Sequence, residues 1–249
     1  MYQKERIDNI VKLLEKDKYL TVKYIAGKIG YSNATINRDL NILEKKKIIK
    51  RTYGGVEIIK RDLPPLPFRY EYAKNAKKKI AKKACEFIKD GERVFIDGTT
   101  TTEYMGEYLT EKKDITVITP NIELALNLSK YGMEVIVLGG KLIEGPMVQS
   151  SITVENARKF MADKFFFSTR GVSSDGKIMQ HSDNSCDLYF AMKENSKKIY
   201  YLVDKKKLDL ECNFKLFDIE EIDTVISDFE FSESLKKSCK KTKFIKVGE

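Results

Sequence analysis

Three of the five prolines in this 249-residue chain fall within Leu63-Pro64-Pro65-Leu66-Pro67. Each proline fixes its own φ and lacks a backbone donor, so the run reads as a stiff connector rather than as an element. A chain interrupted there folds as two bodies, residues 1–61 and 70–249, with 62–69 as the linker. The length permits this at roughly 100–200 residues per domain. The two bodies also differ in charge. Of 46 Lys and Arg and 37 Asp and Glu, the first 61 residues hold 15 and 7, an excess of +8 that leaves +1 for the rest. A small basic module on a neutral body suggests docking on a polyanion. Charge alone equally describes a solvated lysine-rich surface.

Several function classes are disfavoured. The hydrophobic fraction of 42% fits a globular protein with a core. No stretch approaches the ~18 apolar residues of a membrane span. The first residues, Met1-Tyr2-Gln3-Lys4-Glu5-Arg6, contain no apolar signal-peptide core, which points to the cytoplasm. Cys85, Cys186, Cys212 and Cys239 form no Cys-x-x-Cys pair, and His181 is the single histidine. A metal centre and acid–base catalysis are therefore less expected, and no cofactor is.

In the N-terminal module Ile7, Ile10, Val11, Leu13 and Leu14 recur at helical spacing, giving a first helix from about Gln3 to Lys16. Thr21 is placed to cap a short second helix, Gly30 ends it, and Ser32 caps a third. That third helix buries Ile36, Leu40 and Leu43 and offers Asn33, Thr35, Asn37, Arg38 and Asn41 on its other face. This is a helix-turn-helix, and Asn and Arg are residues that read base edges. Residues 48–51 and 56–59 flank Tyr53-Gly54-Gly55 as strand, turn and strand, the wing of a winged helix-turn-helix. Lys50 and Arg51 in that wing are expected on phosphates or in a minor groove. The expected DNA-binding set is thus Ser32, Asn33, Thr35, Asn37, Arg38, Asn41, Lys50 and Arg51, with a double-stranded operator as partner. A winged helix that binds protein is the competing reading of this module.

The run Thr35-Ile36-Asn37-Arg38-Asp39-Leu40, with Arg51-Thr52-Tyr53-Gly54-Gly55, resembles the N-terminal domain of DeoR-type transcription regulators. Asn37 stands where that family usually has a first arginine. Asp39 cannot favour the phosphate backbone and is expected to orient Arg38 or a neighbouring base.

Beyond the linker, a helix is expected from about Tyr70 to Ile88. Strands over 93–96, 115–119, 134–138, 164–168, 199–203 and 224–227 then alternate with helices. Such alternation means an α/β domain with a mostly parallel, Rossmann-like sheet covered on both faces. Ligands of these sheets bind beyond the carboxyl ends of the strands. Asp97-Gly98-Thr99-Thr100-Thr101-Thr102 is one such end, joining a strand to a helix N-terminus whose free N–H groups suit a phosphate or carboxylate. Plain helix capping is the bland alternative. Nucleotide triphosphate and dinucleotide motifs are missing.

This loop, together with Thr119-Pro120-Asn121, Leu138-Gly139-Gly140, Ala162-Asp163-Lys164 and Asp204 with Lys207, resembles the landmarks of the DeoR-type effector domain. The resemblance implies a fold like ribose-5-phosphate isomerase and the coenzyme A transferases, usually without catalysis. It implies a phosphorylated sugar or related metabolite, with phosphate at Gly98 to Thr102 and Asn121, Gly139, Gly140 and Lys207 around it. Asp97 is expected to accept hydrogen bonds from sugar hydroxyls. It implies a homo-oligomer, dimer or tetramer, and a repressor of carbohydrate genes. The chain departs from the family in Thr169-Arg170, in Tyr189 where a lysine is usual, and in Asp204-Lys205-Lys206-Lys207-Leu208-Asp209, which lacks the usual glycine. His181 is open between ligand contact and solvation. The alternative function is a sugar-phosphate isomerase with an appended basic domain, with Asp97 as acid–base group.

Overall fold

The computed structural model describes residues 2–17, 19–45, 48–59, 66–210 and 212–248. The chain divides into two compact units, Met1–Arg69 and Tyr70–Glu249.

The first unit opens with α1 (Gln3–Asp17), a two-residue β1 (Tyr19–Leu20), α2 (Val22–Ile29) and α3 (Asn33–Lys45). It closes with the hairpin β2 (Ile49–Thr52) and β3 (Gly55–Ile58). Local chemistry sets each boundary. Thr21 Oγ1 accepts the Tyr24 amide at 3.2 Å and starts α2. Gly30, at φ 78°, ends it in the left-handed conformation that glycine adopts without a Cβ penalty. Ser32 Oγ accepts the Thr35 amide at 3.2 Å and starts α3. The apolar faces of the three helices, Ile10, Leu14, Ile25, Ile36, Leu40 and Leu43 among them, meet Ile49 and Val56 of the hairpin in one core. β1 adds to the free side of β3, making a three-stranded antiparallel sheet in the order β1-β3-β2.

Part of the expected linker, 62–69, is helical. Residues 62–65 lie outside the described residues, and Leu66–Glu71 form helix α4. Pro67 falls in the first turn of α4, where an amide has no intrahelical partner and its absence costs nothing. The single helix expected from Tyr70 to Ile88 is also two, α4 and α5 (Lys74–Cys85), broken at Ala73 with φ 55°.

The second unit continues through β4 (Arg93–Ile96), α6 (Thr100–Glu103), α7 (Gly106–Leu109), β5 (Thr116–Thr119), α8 (Ile122–Ser129) and β6 (Glu134–Val137). A hairpin follows, β7 (Leu142–Glu144) and β8 (Met147–Val148), then α9 (Ser151–Arg158), β9 (Ala162–Phe167), β10 (Gly171–Val172), β11 (Lys177–Gln180) and α10 (Cys186–Glu194). The chain ends with β12 (Ser196–Val203), β13 (Phe214–Asp218), β14 (Thr224–Ser227), α11 (Glu233–Ser238) and β15 (Lys243–Lys246). Seven strands pair in parallel in the order β15-β14-β12-β9-β4-β5-β6. Apolar clusters lie on both faces: Phe95, Phe165, Phe167 and Tyr201 belong to one, and Val94, Ile96, Phe166 and Leu202 to the other. Alternate residues of one strand thus face opposite layers of helix. A small antiparallel sheet, β10-β11-β13, and the strand β15 are additions to the expected elements.

The strand order locates the crevice. From β4 the chain lays β5 and β6 to one side, then crosses to place β9, β12, β14 and β15 on the other. The winding reverses between β4 and β9, and in open α/β sheets that switch point is where ligands bind.

The wing is tight at Gly55. A Cβ there would lie 2.6 Å from the Leu20 carbonyl oxygen and 2.8 Å from the Tyr19 ring. Gly55→Ala is expected to force β1 and the hairpin apart and to cost about 1–3 kcal/mol, the usual scale of overpacking. Chemical unfolding of the variant and the wild-type chain checks this.

Candidate nucleic-acid interface and effector crevice

The helix-turn-helix rests on a buried ion pair. Asp39, fully buried on α3, accepts Arg6 Nε at 2.5 Å and Arg6 Nη2 at 3.1 Å, and Gln3 Nε2 at 3.2 Å. Arg6 also lies over the Tyr31 ring, 4.6 Å from its centroid. Hydrogen bonding to Asp39 raises the Arg6 pKa from its ordinary value. Asp39 therefore pairs with α1 and not with Arg38, a partner 33 positions away in sequence.

Helical geometry sorts the exposed face of α3. With Ile36, Asp39, Leu40 and Leu43 buried, the outermost positions are Ala34, Arg38, Asn41 and Lys45, all exposed. Arg38 has no hydrogen-bond partner among the described residues. Asn33 is exposed and Thr35 and Asn37 half-buried on the flanks; Ser32 and Thr35 share a hydroxyl contact of 3.0 Å. Ala34 and Lys45 were not among the expected readers. Their signal was available in the helical wheel, given the buried position of Asp39.

The two wing cations are both engaged. Lys50 pairs with Glu57 at 2.8 Å, with both side chains well exposed. The Arg51 guanidinium turns back onto α3. It donates to Asn37 Oδ1 (3.0 Å), Asn41 Oδ1 (2.7 Å), Glu44 Oε2 (3.2 Å) and the Asn37 carbonyl (3.4 Å). Tyr53, at the wing tip, is fully exposed.

In the second unit the carboxyl ends of β4, β5, β9 and β12 run into Asp97, Asn121, Ser168 and Asp204 respectively. Asp97 is the hub. Its Oδ1 accepts the Thr99 amide (3.0 Å), the Thr99 hydroxyl (2.9 Å) and the Thr102 hydroxyl. Its Oδ2 accepts the Ser168 amide (2.8 Å) and the Tyr189 hydroxyl (3.1 Å). Burial pushes the carboxyl up from its ordinary value, while these bonds pull the other way.

The threonines divide accordingly. Thr99 and Thr102 face Asp97. Thr100 Oγ1 accepts Lys77 Nζ at 3.0 Å, and Thr101 Oγ1 accepts Lys207 Nζ at 3.0 Å. Lys207 Nζ also reaches Ser168 Oγ at 2.6 Å and lies 3.8 Å from Asp204 Oδ2. Asp97, Thr99 to Thr102 and Lys207 are thus brought together at the switch point. Lys77, Ser168, Tyr189 and Asp204 complete the cluster. Lys77 is 3% exposed and sits in a run of three lysines, so nothing local separated it from its solvated neighbours.

The other expected effector residues have structural partners. Gly98 gives room to Met147, whose Sδ would lie 2.1 Å from a Cβ there. Asn121 is fully buried; its Oδ1 caps α8 by accepting the Leu124 amide at 3.0 Å, and its Nδ2 donates to Glu103 Oε2 at 2.7 Å. Glu103, which also accepts the Tyr70 hydroxyl at 2.6 Å, is pushed up by burial. Gly139 and Gly140, at φ 69° and 122°, lie against the N-terminus of α9. The Gly139 carbonyl accepts the Thr153 hydroxyl at 2.7 Å, and a Cβ on Gly140 would meet Thr153 Oγ1 at 2.2 Å.

Asp97 is a poor acid–base group. It is 2% exposed, and both oxygens are already engaged by donors. Among the described residues no three of His, Cys, Asp and Glu converge to hold a metal ion. No helix among them is long and apolar enough to cross a membrane.

A two-part regulator is the class these units define, with a winged helix-turn-helix and a separate α/β sensor. The family models agree: a DeoR-like helix-turn-helix domain matches residues 6–62 and a DeoR C terminal sensor domain matches residues 73–229. The chain belongs to the DeoR family. It is 32% identical over 232 residues to the HTH-type transcriptional repressor GlcR of Bacillus subtilis (strain 168), covering 92% of this chain and 89% of that one. It is 27% identical to the glycerol-3-phosphate regulon repressor of Escherichia coli (strain K12), over 92% of each chain. Among solved structures, ribose 5-phosphate isomerase A of Methanocaldococcus jannaschii is similar over 55% of each chain, at 17% identity and a TM-score of 0.41.

The Asp97 hub yields a prediction. In Asp97→Asn, one oxygen becomes an amide that faces N–H or O–H donors. Leaving buried donors unmatched costs about 1–3 kcal/mol. Urea unfolding should show the loss, and a variant as stable as wild type would remove Asp97 from the centre of this cluster.

Proposed function

We propose that this protein is a cytoplasmic transcriptional repressor of carbohydrate genes. It binds operator DNA through α3 and the wing, and a phosphorylated sugar or sugar derivative releases it. The observation that carries the effector half is the Lys207 ammonium at the switch point, within 3.0 Å of the Thr101 hydroxyl and 2.6 Å of that of Ser168. A half-buried ammonium flanked by hydroxyls suits a phosphate. Lys77 on Thr100 adds a second ammonium to the same loop. The E. coli relative is the repressor of a glycerol-3-phosphate regulon, which supports a phosphorylated ligand.

On the DNA side, Arg38 has the exposure and freedom to meet guanine O6 and N7. Asn33, Asn41, Ala34 and Lys45 supply further groove or phosphate contacts, and Tyr53 reaches out from the wing. Several relatives are repressors, and an operator read by a symmetric pair of heads calls for a homo-oligomer, a dimer or a tetramer. Effector binding would favour a subunit arrangement whose heads no longer match the half-site spacing.

The test is a gel-shift titration on DNA from upstream of the protein's own gene cluster, over a salt series, with and without a panel of sugar phosphates. Specific binding that falls with salt and is released by one compound is expected. Binding that no compound releases, or only sequence-blind binding, sinks the corresponding half. Arg38→Ala should weaken specific binding by about fivefold or more, since a bidentate base contact contributes about 1–3 kcal/mol. Lys207→Ala should leave DNA affinity unchanged and raise the effector concentration needed for release by about tenfold or more, as expected for a lost charge-assisted bond. Equal release of wild type and Lys207→Ala would place the phosphate elsewhere.

A further inference from the structure

We propose that Arg51 is a positioning residue that decides what α3 can read: it ties up Asn37 as a strut and presents Asn41 to DNA as a hydrogen-bond donor. The inference rests on the DNA-binding reading above and gives Arg51 a role other than phosphate contact.

Asn37, Asn41 and Glu44 recur at i, i+4 and i+7, so they form one stripe along the wing side of α3. Arg51 of β2 lies along that stripe and bonds to all three side chains. These contacts and the Asn37 carbonyl engage four of the five N–H groups of the guanidinium. An arginine so engaged has little left for a phosphate.

The guanidinium carries donors and no acceptor, so each amide must turn its oxygen toward it. That settles the orientation of both asparagines by chemistry. Asn37 then has both ends in use, Oδ1 on Arg51 and Nδ2 on the Asn33 carbonyl at 2.9 Å. Asn41 has its Oδ1 on Arg51 at 2.7 Å, and its Nδ2 has no partner among the described residues. Asn41 is on the outer face of α3, so the amide it offers DNA is an NH₂ group.

A bidentate contact to adenine needs the amide oxygen to accept from N6–H, and here that oxygen faces Arg51. Guanine offers two acceptors in the major groove, O6 and N7, to which one NH₂ group can donate. Asn41 therefore selects guanine over adenine for as long as Arg51 holds it. Asn37, which takes the place of the family's usual arginine, reads no base.

The experiment uses the full chain and a random-sequence DNA duplex library. Sequences selected by wild type, Arg51→Lys, Arg51→Ala and Asn41→Ala are compared. The salt dependence of binding to the duplex that wild type selects is measured for each. Arg51→Lys keeps the charge and most of the stem, so it remains informative if Arg51→Ala destabilises the wing. Wild type is expected to select guanine at one position of each half-site besides the one lost in Arg38→Ala. All three variants should lose that preference by about fivefold or more, the scale of a base contact. The double variant Arg51→Ala/Asn41→Ala should lose no more than either single variant, because the two residues act as one. The slope of log affinity against log salt should be the same in Arg51→Ala as in wild type. A slope shallower by about 0.9, the signature of one lost phosphate contact, overturns the proposal. So does an unchanged base preference in Arg51→Lys. A wild-type chain that enriches no sequence overturns the DNA-binding reading and this inference together, whereas the other two outcomes leave the former standing.

Discussion

A carboxylate that has left water must find donors, and the second unit is organised around one that has, Asp97. Transfer of a charge into a protein interior is costly unless hydrogen bonds replace its hydration. Asp97 draws those bonds from three directions: its own loop through Thr99 and Thr102, the neighbouring strand end through the Ser168 amide, and α10 through Tyr189. Each donor can reach only if its element sits where it does. The register of β4 against β9 and the seat of α10 are therefore both tied to one side chain. By drawing Thr99 and Thr102 inward, Asp97 also leaves Thr100 and Thr101 to meet Lys77 and Lys207. The loop is shaped by the acid and flanked by the two lysines.

The DNA-binding unit uses the same device twice. Asp39 is buried and faces Arg6, and this pair fixes α3 against α1 without touching the exterior. Arg51 is the counterpart on the exposed side, a cation whose bonds run to protein side chains. In all three places a charged residue aims its neighbours. Side chains held in advance lose less freedom when a ligand arrives, and affinity gains by that amount.

The legible parts of this structure are those encoded over a few residues. Thr21, Gly30 and Ser32 mark helix ends because capping is a contact between a residue and the next turn. The alternation of strand and helix runs revealed the parallel sheet for a similar reason. What depended on distant partners did not show. Asp39 is expected from sequence to orient Arg38 or a neighbouring base, yet adjacent residues on a helix point about 100° apart and Asp39 turns inward to Arg6. Lys77 is one of three consecutive lysines, and only the fold buries it against Thr100. Asn121 is expected near the phosphate only through the family resemblance, and the structure shows its amide engaged by the Leu124 amide of α8 and by Glu103, 18 residues upstream. The break at Ala73 and the small antiparallel sheet likewise rest on tertiary contacts that no local period announces.

Tyr189 shows how a departure from the family pattern is absorbed. A lysine is usual at this position, and an ammonium there would place a countercharge on Asp97. The tyrosine hydroxyl supplies a donor without a charge, at 3.1 Å from Asp97 Oδ2 and 3.2 Å from the Ser168 carbonyl. Its ring fills the space with aromatic contact, packing on Phe165 and Phe167 of β9. Two consequences follow from that exchange. Asp97 has no countercharge from α10, so the amide and hydroxyl donors around it carry the compensation for its burial. The positive charge of the cluster comes from Lys77 and Lys207, beside Thr100 and Thr101. The tyrosine therefore keeps Asp97 bonded without adding a charge, and the two ammonium groups of the cluster lie beside the threonine loop.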